Sequence, residues 1–199
     1  MARDSATKQA VLIAATSIFA EQGFGAASIS KIATAAGVSK ATVFHHFGNK
    51  DNLYLEVLLQ TFHLIADAWG KSIDNEETNF NVSLKVLVMD TLDFQQQHAD
   101  SLKLLIWEVL GAKRPSSSAV GPGVFHQYFK KIIGVIEILI SKSTASKKFN
   151  ANKIAFDLLS HSIFYFIFGD SLIGMDELPF IESAEGFSDW LVKGILLPS

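Results

Sequence analysis

Four residues in the first quarter of the chain, Lys40, Ala41, Thr42 and His45, have the types and the spacing to meet the base edges of double-stranded DNA. Lysine can donate to guanine O6 and N7, threonine offers a hydroxyl and a methyl group, and alanine permits close approach. On a helix, these positions lie outward along the first turn and a half. Because the start of a recognition helix is the part that reaches bases in the major groove, the pattern indicates a DNA-reading helix, KATVFHHF.

Two short helices joined by a tight turn are needed to position those residues. Ser28 is placed to cap the first helix, ISKIATAA, and Ser39 to cap the second. Gly37 suits the turn, Val38 fills the angle between the helices, and the small Ala33 lets them cross closely. We therefore predict a helix-turn-helix over residues 28–47. The side chains predicted to face its core, toward Leu12 and Phe19, are Ile32, Val43, Phe44 and Phe47.

Helical signals continue along the rest of the chain, and alternating strand patterns are missing. Gly23 is predicted to end a first helix over 5–22. The further helices are predicted near 51–73, 80–98, 100–112, 124–145, 151–172 and 185–197. Polar or Gly/Pro-rich connectors are predicted at 74–79, 113–123, 141–152 and 174–183. The predicted fold is all-α, with an N-terminal three-helix head over 1–50 and a larger helical body over 51–199.

Composition excludes several classes of protein. Of the 199 residues, 49% are hydrophobic and 19% charged, which argues against a disordered chain. The absence of cysteine excludes disulfides, cysteine-bound zinc and thiol catalysis. The start of the chain lacks a signal-peptide pattern, and the longest apolar run, at 158–169, is shorter than the roughly 20 residues that a membrane span needs. We expect a soluble cytoplasmic protein.

The charge is distributed unevenly between the two predicted domains. Residues 1–50 carry a net charge of +3, whereas the remainder carries −6. A basic head on an acidic body suits a head that faces a polyanion, although +3 is modest for a nucleic-acid-binding surface.

Residues 11–53 carry a pattern that extends well beyond the turn. They read VLIAATSIFAEQGFGAASISKIATAAGVSKATVFHHFGNKDNL. This segment resembles the DNA-binding head of TetR/AcrR-type transcriptional regulators, in both spacing and identity, over about a fifth of the chain. The resemblance implies a DNA-binding regulator whose helical body binds a small molecule and forms a dimer.

The resemblance also implies contacts for individual residues. It assigns phosphate contacts to Ser28, His46 and Lys50. It assigns base-edge contacts to Lys40, Ala41 and Thr42, with Ser30 as a further candidate and His45 either at the DNA or in solvent.

Four positions depart from the family pattern. Ala41 replaces a usual glycine and Val43 a usual leucine, and both changes are mild. Phe44 replaces a tyrosine whose hydroxyl commonly contacts a phosphate. Ala27 replaces a common threonine, which removes a second hydroxyl.

Other chemistry has little support in the sequence. His45 and His46 are adjacent, so on a helix they point about 100° apart, and no other histidine lies three or four residues away. Nucleotide-binding glycine motifs and nucleophile signatures are missing. We therefore predict no metal, no cofactor and no enzymatic activity.

A small-molecule site is predicted between the helices of the body. An apolar pocket with a few polar groups suits a flat or elongated hydrophobic effector. The candidate pocket residues are Phe62, Trp69, Met89, Trp107, Glu108, Tyr128, Phe129 and Tyr165. The alternative is that these aromatics are plain core, as is expected for Phe156, Phe164, Phe168 and Phe187.

The charge of the effector depends on three acids within apolar helices, Asp90, Glu108 and Glu137. If one is buried, it could bind a cation, with Trp107 adding a cation–π contact. If all three are solvated, which is the commoner case, a neutral or anionic ligand is favoured, with His126 or His161 as its polar anchor.

Dimerisation is predicted through the last two helices. IFYFIF and DWLVKGILL are apolar around most of each helix, more than one core face requires. The candidate interface residues are Phe164, Phe168, Trp190 and Leu191. Two helices from each protomer would make a four-helix interface, as the resemblance implies.

The sequence as a whole predicts a ligand-responsive transcriptional regulator, a repressor that a small hydrophobic effector releases from a palindromic operator. Two alternatives stay open: an all-α ligand-binding or enzyme-like protein with a vestigial head, and a nucleoid-associated protein that binds DNA without sequence preference.

Overall fold

The computed structural model describes residues 2–73, 78–111, 122–143 and 149–196, and within these ranges it contains α-helices and no strands. The helices are α1 (Ala2–Ala26), α2 (Ile29–Ala35), α3 (Lys40–Phe47), α4 (Lys50–Ile73), α5 (Phe80–Gln97), α6 (Ala99–Gly111), α7 (Pro122–Lys142), α8 (Ala151–Leu172) and α9 (Ala184–Leu196). The all-α prediction is confirmed. Of the predicted connectors, residues 74–77, 113–121 and 144–148 lie outside the described residues. The connector predicted at 141–152 is shorter than expected, because its ends belong to α7 and α8. The connector at 174–183 contains a 3-10 turn, Pro179–Ile181, which the sequence did not predict.

Helix α1 is interrupted at Gly23, as predicted. Gly23 has φ 69° and ψ 166°, a conformation that a residue with a Cβ rarely adopts. The chain then makes a last turn, in which the Ala27 N–H donates to the Gly23 carbonyl at 3.2 Å, before α2 begins. The interruption therefore sets the direction in which the chain enters the helix-turn-helix.

Contacts group the chain into two compact units. The first unit combines Met1–Leu64 with His98–Phe125, and the second combines Ile65–Gln97 with His126–Ser199. The sequence places a boundary at residue 50, where the motif ends. The first unit also includes the start of α4 and all of α6, because Leu53, Tyr54 and Leu104 are buried in it.

The core of the first unit is built around α1, which packs against α2, α3 and α6. Phe19 is fully buried, and its ring meets that of Tyr54 edge-on, with the centroids 5.0 Å apart. The other fully or almost fully buried side chains of this core include Val11, Ala15, Ile32, Val43, Leu53, Leu58 and Leu104. This core holds α2 and α3 at the surface of the unit.

The second unit packs α5 against α8 and α9. Its core includes Leu84, Leu87, Ile136 and Leu158. Lys85 on α5 pairs with Asp189 on α9, at 2.6 Å between nitrogen and oxygen, and the hydrogen bond to Asp189 raises the pKa of Lys85. None of the described helices combines the length and the apolar character that a membrane span requires.

Candidate nucleic-acid interface

The turn between α2 and α3 is fixed by local hydrogen bonds. Ser28 caps α2, its hydroxyl accepting from the Lys31 N–H at 3.2 Å, and Ser39 caps α3, accepting from the Thr42 N–H at 3.0 Å. Gly37 lies between the helices with φ 68°, and the Val38 N–H donates to the carbonyl of Ala33 at 2.9 Å. Both predicted caps and the predicted glycine turn are therefore confirmed, and the segment is a helix-turn-helix.

Helix α3 has a buried face and an exposed face. Val43 and Phe47, one turn apart, are 1% and 4% exposed, and they anchor α3 in the core of the first unit. Lys40, Ala41 and His45 lie on the exposed side, as predicted. The helix thus presents a cation, a small residue and an imidazole on its exposed side.

Phe44 corrects the sequence prediction. It was expected to face the core, yet it is 48% exposed. Successive residues on a helix differ in direction by about 100°, so the narrow buried face that holds Val43 and Phe47 excludes Phe44. The residue that replaces the family's tyrosine therefore lies on the surface of α3.

Thr42 is half-buried, and its hydroxyl has a partner within the helix-turn-helix. The Thr42 and Ser39 hydroxyl oxygens are 2.9 Å apart, so one donates to the other. Ser28 and Ser30 are also half-buried, and the Ser28 hydroxyl is the cap of α2. The hydroxyls of Ser28, Ser39 and Thr42 therefore organise the motif itself.

Lys50 lies at the start of α4, where its ammonium group binds the segment between α1 and α2. It donates to the carbonyl of Ala27 at 2.7 Å and to that of Gly25 at 3.4 Å, and it lies 4.4 Å from the centre of the Phe24 ring. Burial lowers the pKa of Lys50, and the neighbouring Asp51 opposes that effect. The side chain predicted to contact phosphate thus holds the entry to α2, a role that the sequence did not reveal.

The two adjacent histidines differ in environment. His45 is exposed, whereas the His46 side chain is only 9% exposed, with Nε2 3.6 Å from a carboxylate oxygen of Asp4. Their rings meet edge-on at 5.4 Å. Within the part of the chain that the structure describes, no group of three or more His, Asp or Glu side chains could hold a metal ion.

The candidate pocket residues are divided between the two units. Phe62 and Trp107 belong to the first unit; Trp69, Met89, Phe129 and Tyr165 belong to the second. The side chains of Glu108 and Tyr128 lie outside the described residues. Trp107 is not simply an apolar wall, because its indole N–H donates to the carbonyl of Ala20 on α1 at 3.1 Å.

Two acids and two histidines that could set the charge preference of an effector site lie in the described part of the chain. Glu137 and His126 are exposed, and Asp90 is half-buried and has an interaction partner. His161 is half-buried, with Nδ1 2.7 Å from the carbonyl of Asp157 one turn earlier. None of these four side chains is buried.

Of the residues predicted at the dimer interface, some are exposed and one is buried. Phe164, Phe168 and Trp190 are 49%, 46% and 40% exposed, whereas Leu191 is 2% exposed and packs within its own protomer. Leu191 is therefore removed from the candidate interface. Phe156, expected in the core, is 64% exposed on α8; of the aromatics expected in the core, Phe187 is buried.

The architecture and the motif define a helix-turn-helix protein with an all-α body. Residues 11–57 match the family model of bacterial regulatory proteins of the tetR family. The resemblance found in the sequence is therefore confirmed over these residues, which are similar to the helix-turn-helix head of the tetR family.

Two relatives and one solved structure extend the comparison. RutR of Escherichia coli K12, an HTH-type transcriptional regulator, is 31% identical over 108 residues, which cover 53% of this chain and 49% of RutR. FasR of Mycolicibacterium smegmatis, an HTH-type transcriptional activator, is 45% identical over 95 residues, which cover 48% of this chain and 43% of FasR. The chain thus spans about half the length of these relatives, which are regulators rather than enzymes.

The fold of the whole chain is similar to that of NalD, the secondary repressor of the MexAB-OprM multidrug efflux pump in Pseudomonas aeruginosa. The TM-score is 0.67 at 18% sequence identity, and the match covers 98% of this chain and 96% of NalD. At this identity the likeness shows the fold alone.

Proposed function

We propose that this protein is a transcriptional repressor that binds a palindromic operator as a homodimer and is released by a small hydrophobic effector. The proposal of DNA binding rests on one observation: α3 has one buried face and one exposed face. Val43 and Phe47 fix the helix in the core, while Lys40, Ala41 and His45 are directed outward. The other proposed DNA-contacting side chains are Ser28, Ser30, Thr42 and His46.

In this proposal Lys40 reads a base and Lys50 supports the motif. Lys40 is exposed in the first turn of α3, where a helix in the major groove meets base edges. The ammonium of Lys50 is already directed at two backbone carbonyls. We therefore assign Lys50 to positioning α2, in place of the phosphate contact that the resemblance implies.

The proposed dimer is supported by the exposed aromatic residues of α8. Phe156, Phe164 and Phe168 are each more than 45% exposed, and large apolar side chains in such number mark interaction surfaces. A two-fold dimer would present two α3 helices to half-sites about 34–36 Å apart, or a multiple of that distance. The proposed operator is accordingly palindromic.

The effector acts by binding more tightly to the DNA-incompetent state than to the DNA-bound state. We propose that the protein represses transcription. Of the proteins named above, FasR is an activator and NalD is a repressor. A reporter gene placed behind the selected operator shows whether the protein represses or activates transcription. Lower expression with the protein present supports repression, and higher expression contradicts it.

Selection of bound DNA from a random pool tests the DNA-binding proposal. The expected result is an inverted repeat whose enrichment depends on Lys40. Binding that retains no consensus would indicate a nucleoid-associated protein. A chain that binds no DNA at low salt would indicate a vestigial head.

A further inference from the structure

We infer that Gln95 and Ser162, buried between α5 and α8, form the polar anchor of an effector site in the second unit, and that this site takes a neutral ligand. The inference rests on the proposed effector response and deepens it. Gln95 is 4% exposed and Ser162 is fully buried. Gln95 Nε2 donates to Ser162 Oγ at 3.0 Å, and Ser162 Oγ donates to the carbonyl of Leu159 at 3.3 Å.

The amide of Gln95 retains an unmet hydrogen-bonding end. Its Oε1 is buried and has no hydrogen-bond partner among the residues that the structure describes. Flipping the amide, so that Oε1 and Nε2 exchange places, still leaves one of the two atoms without a partner. Ser162 would then donate to Oε1, and Nε2 would become the end without a partner. In either orientation, the amide has capacity for a further hydrogen bond.

The bond to Ser162 uses one end of the Gln95 amide, and folding alone does not explain the other end. The buried threonines Thr61 and Thr91 return their hydroxyls to carbonyls of their own helices, four residues earlier. Gln95 is the only buried side-chain amide in the described part of the chain, and it reaches across to another helix. A leucine or methionine would fill the same space without an unmet polar atom, so the glutamine indicates a partner that comes from outside the chain.

Two further unmet polar atoms lie in the same unit. They are Trp69 Nε1, on a side chain that is 2% exposed, and the hydroxyl of the fully buried Ser188. Together with Gln95 Oε1, these are all the buried side-chain polar atoms without a partner that the described residues contain, and all three belong to the second unit. The second unit, rather than the first, therefore has hydrogen-bonding capacity that its own fold does not use.

The chemistry of the buried residues defines the ligand class. The buried polar side chains of the second unit, within its described ranges, are hydroxyls and one amide, with no charged group among them: Ser83, Thr91, Gln95, Ser143, Ser162 and Ser188. Neither Gln95 nor Ser162 carries a charge, so neither could balance a charged headgroup that is buried beside them, and the free energy of binding of a charged ligand is penalised. A neutral molecule with an apolar body and a polar group that can both donate and accept, such as an amide or an alcohol, satisfies the Gln95 amide in either orientation.

Three probes of equal chain length test the ligand class: octanamide, octanoate and octylammonium. Binding to the full-length protein without DNA is measured by calorimetry, in wild type, Gln95→Met, Ser162→Ala and the control Gln96→Met, which changes an exposed neighbour. We expect octanamide to bind at least tenfold more tightly than the two charged probes. Gln95→Met should weaken octanamide binding about tenfold, the equivalent of one hydrogen bond, and Gln96→Met should leave it unchanged.

Gln95→Glu supplies a test that does not depend on loss of binding. A buried carboxylate should reverse the preference, so that octylammonium binds this variant more tightly than octanamide. Equal affinity for the three probes, absence of binding, or tighter binding of a charged probe to the wild type would overturn the inference. An octanamide affinity that is unchanged in Gln95→Met and Gln95→Glu would mean that a buried water molecule satisfies the amide, and would also overturn it.

Operator release is measured separately, so that the two proposals can fail independently. Octanamide that binds through Gln95 without releasing DNA supports the site and contradicts the effector response. Sequence-selective DNA binding without any octanamide binding supports the DNA-binding proposal and contradicts the site.

Discussion

The ammonium nitrogen of Lys50 lies 2.7 Å from the carbonyl oxygen of Ala27, 23 residues earlier in the chain. This bond connects the first turn of α4 to the residue that precedes the cap of α2. The same ammonium reaches the carbonyl of Gly25 at 3.4 Å and lies above the ring of Phe24. A single cation thus ties the segment after the Gly23 interruption to the helix that follows the DNA-reading motif.

The first prediction concerns the stability that Lys50 provides. Lys50→Met should lower the free energy of unfolding by about 1–2 kcal/mol, since hydrogen bonds to charged groups contribute on the order of 1.5–3 kcal/mol and this one is partly solvated. Urea unfolding followed by circular dichroism measures the change. The matched control is Lys40→Met, at an exposed position, which should stay within about 0.5 kcal/mol of the wild type. Equal stability of wild type and Lys50→Met would refute the positioning role.

The same variant separates positioning from phosphate binding. Each phosphate that a cation neutralises adds about 0.9 to the slope of log affinity against log salt concentration. Because the Lys50 ammonium is directed at backbone carbonyls, we expect Lys50→Met to weaken DNA binding without changing that slope. In the proposed homodimer both protomers carry the change, so a slope reduced by about 1.8, or about 0.9 for each protomer, would instead establish Lys50 as a phosphate contact.

The second prediction concerns Phe44. Phe44→Tyr should strengthen binding to operator and random DNA alike, by about 3- to 10-fold for each protomer bound, since each added hydrogen bond contributes about 0.5–1.5 kcal/mol. The resemblance assigns that hydroxyl to a phosphate, and the exposure of Phe44 leaves its ring edge accessible. Affinities for both DNAs are compared, with Phe44→Leu as the control without a hydroxyl. A gain on operator DNA alone, or no gain, would argue against a phosphate near this ring.

The third prediction concerns the bond between α6 and α1. Trp107→Phe retains most of the ring and removes the N–H that donates to Ala20. Ala20 lies in the last turn before the interruption at Gly23, where helix carbonyls generally lack a partner within the helix. We expect a loss of about 1 kcal/mol in unfolding free energy. Thermal unfolding, followed by circular dichroism, provides the measurement, and a variant as stable as the wild type would show that the bond contributes nothing.

The fourth prediction concerns the dimer. Phe164→Glu should produce monomers in sedimentation velocity experiments, because a carboxylate within an apolar interface has no partner. Ile13→Glu is the matched control, since Ile13 is 63% exposed on α1, outside the proposed interface. A Phe164→Glu protein that sediments as the wild-type dimer would place the interface away from this part of α8.

The helix-turn-helix could be predicted from the sequence because its signals are local. Ser28, Gly37 and Ser39 specify caps and a turn through bonds to residues at most four positions away, and all three behave as predicted. The partners of Lys50 and Trp107 could not be predicted in this way. They lie 23 to 87 residues apart in sequence, so they depend on the path of the whole chain.

Helices α8 and α9 show a second limit of sequence reasoning. Helix α8 is apolar around most of its circumference, so periodicity does not identify its buried side. In α9 the buried Phe187, Leu191 and Ile195 recur every four residues and mark one face. Phe156 was expected in the core and is exposed, whereas Leu191 was expected at an interface and is buried. The sequence does not indicate a special role for Gln95, because a glutamine within a helix is ordinarily solvated. Its burial and unmet oxygen become visible only when α5 packs against α8.

We propose that α3 reads bases through Lys40. It is tested most directly by comparing the affinities of wild type and Lys40→Ala for the selected operator and for random DNA of equal length, at one salt concentration. The exposed Lys193→Ala on α9 serves as the charge-matched control. We expect Lys40→Ala to lose about 1–3 kcal/mol of binding free energy per half-site on the operator, to lose far less on random DNA, and to relax the preference at one position of each half-site. An equal loss on both DNAs would contradict it.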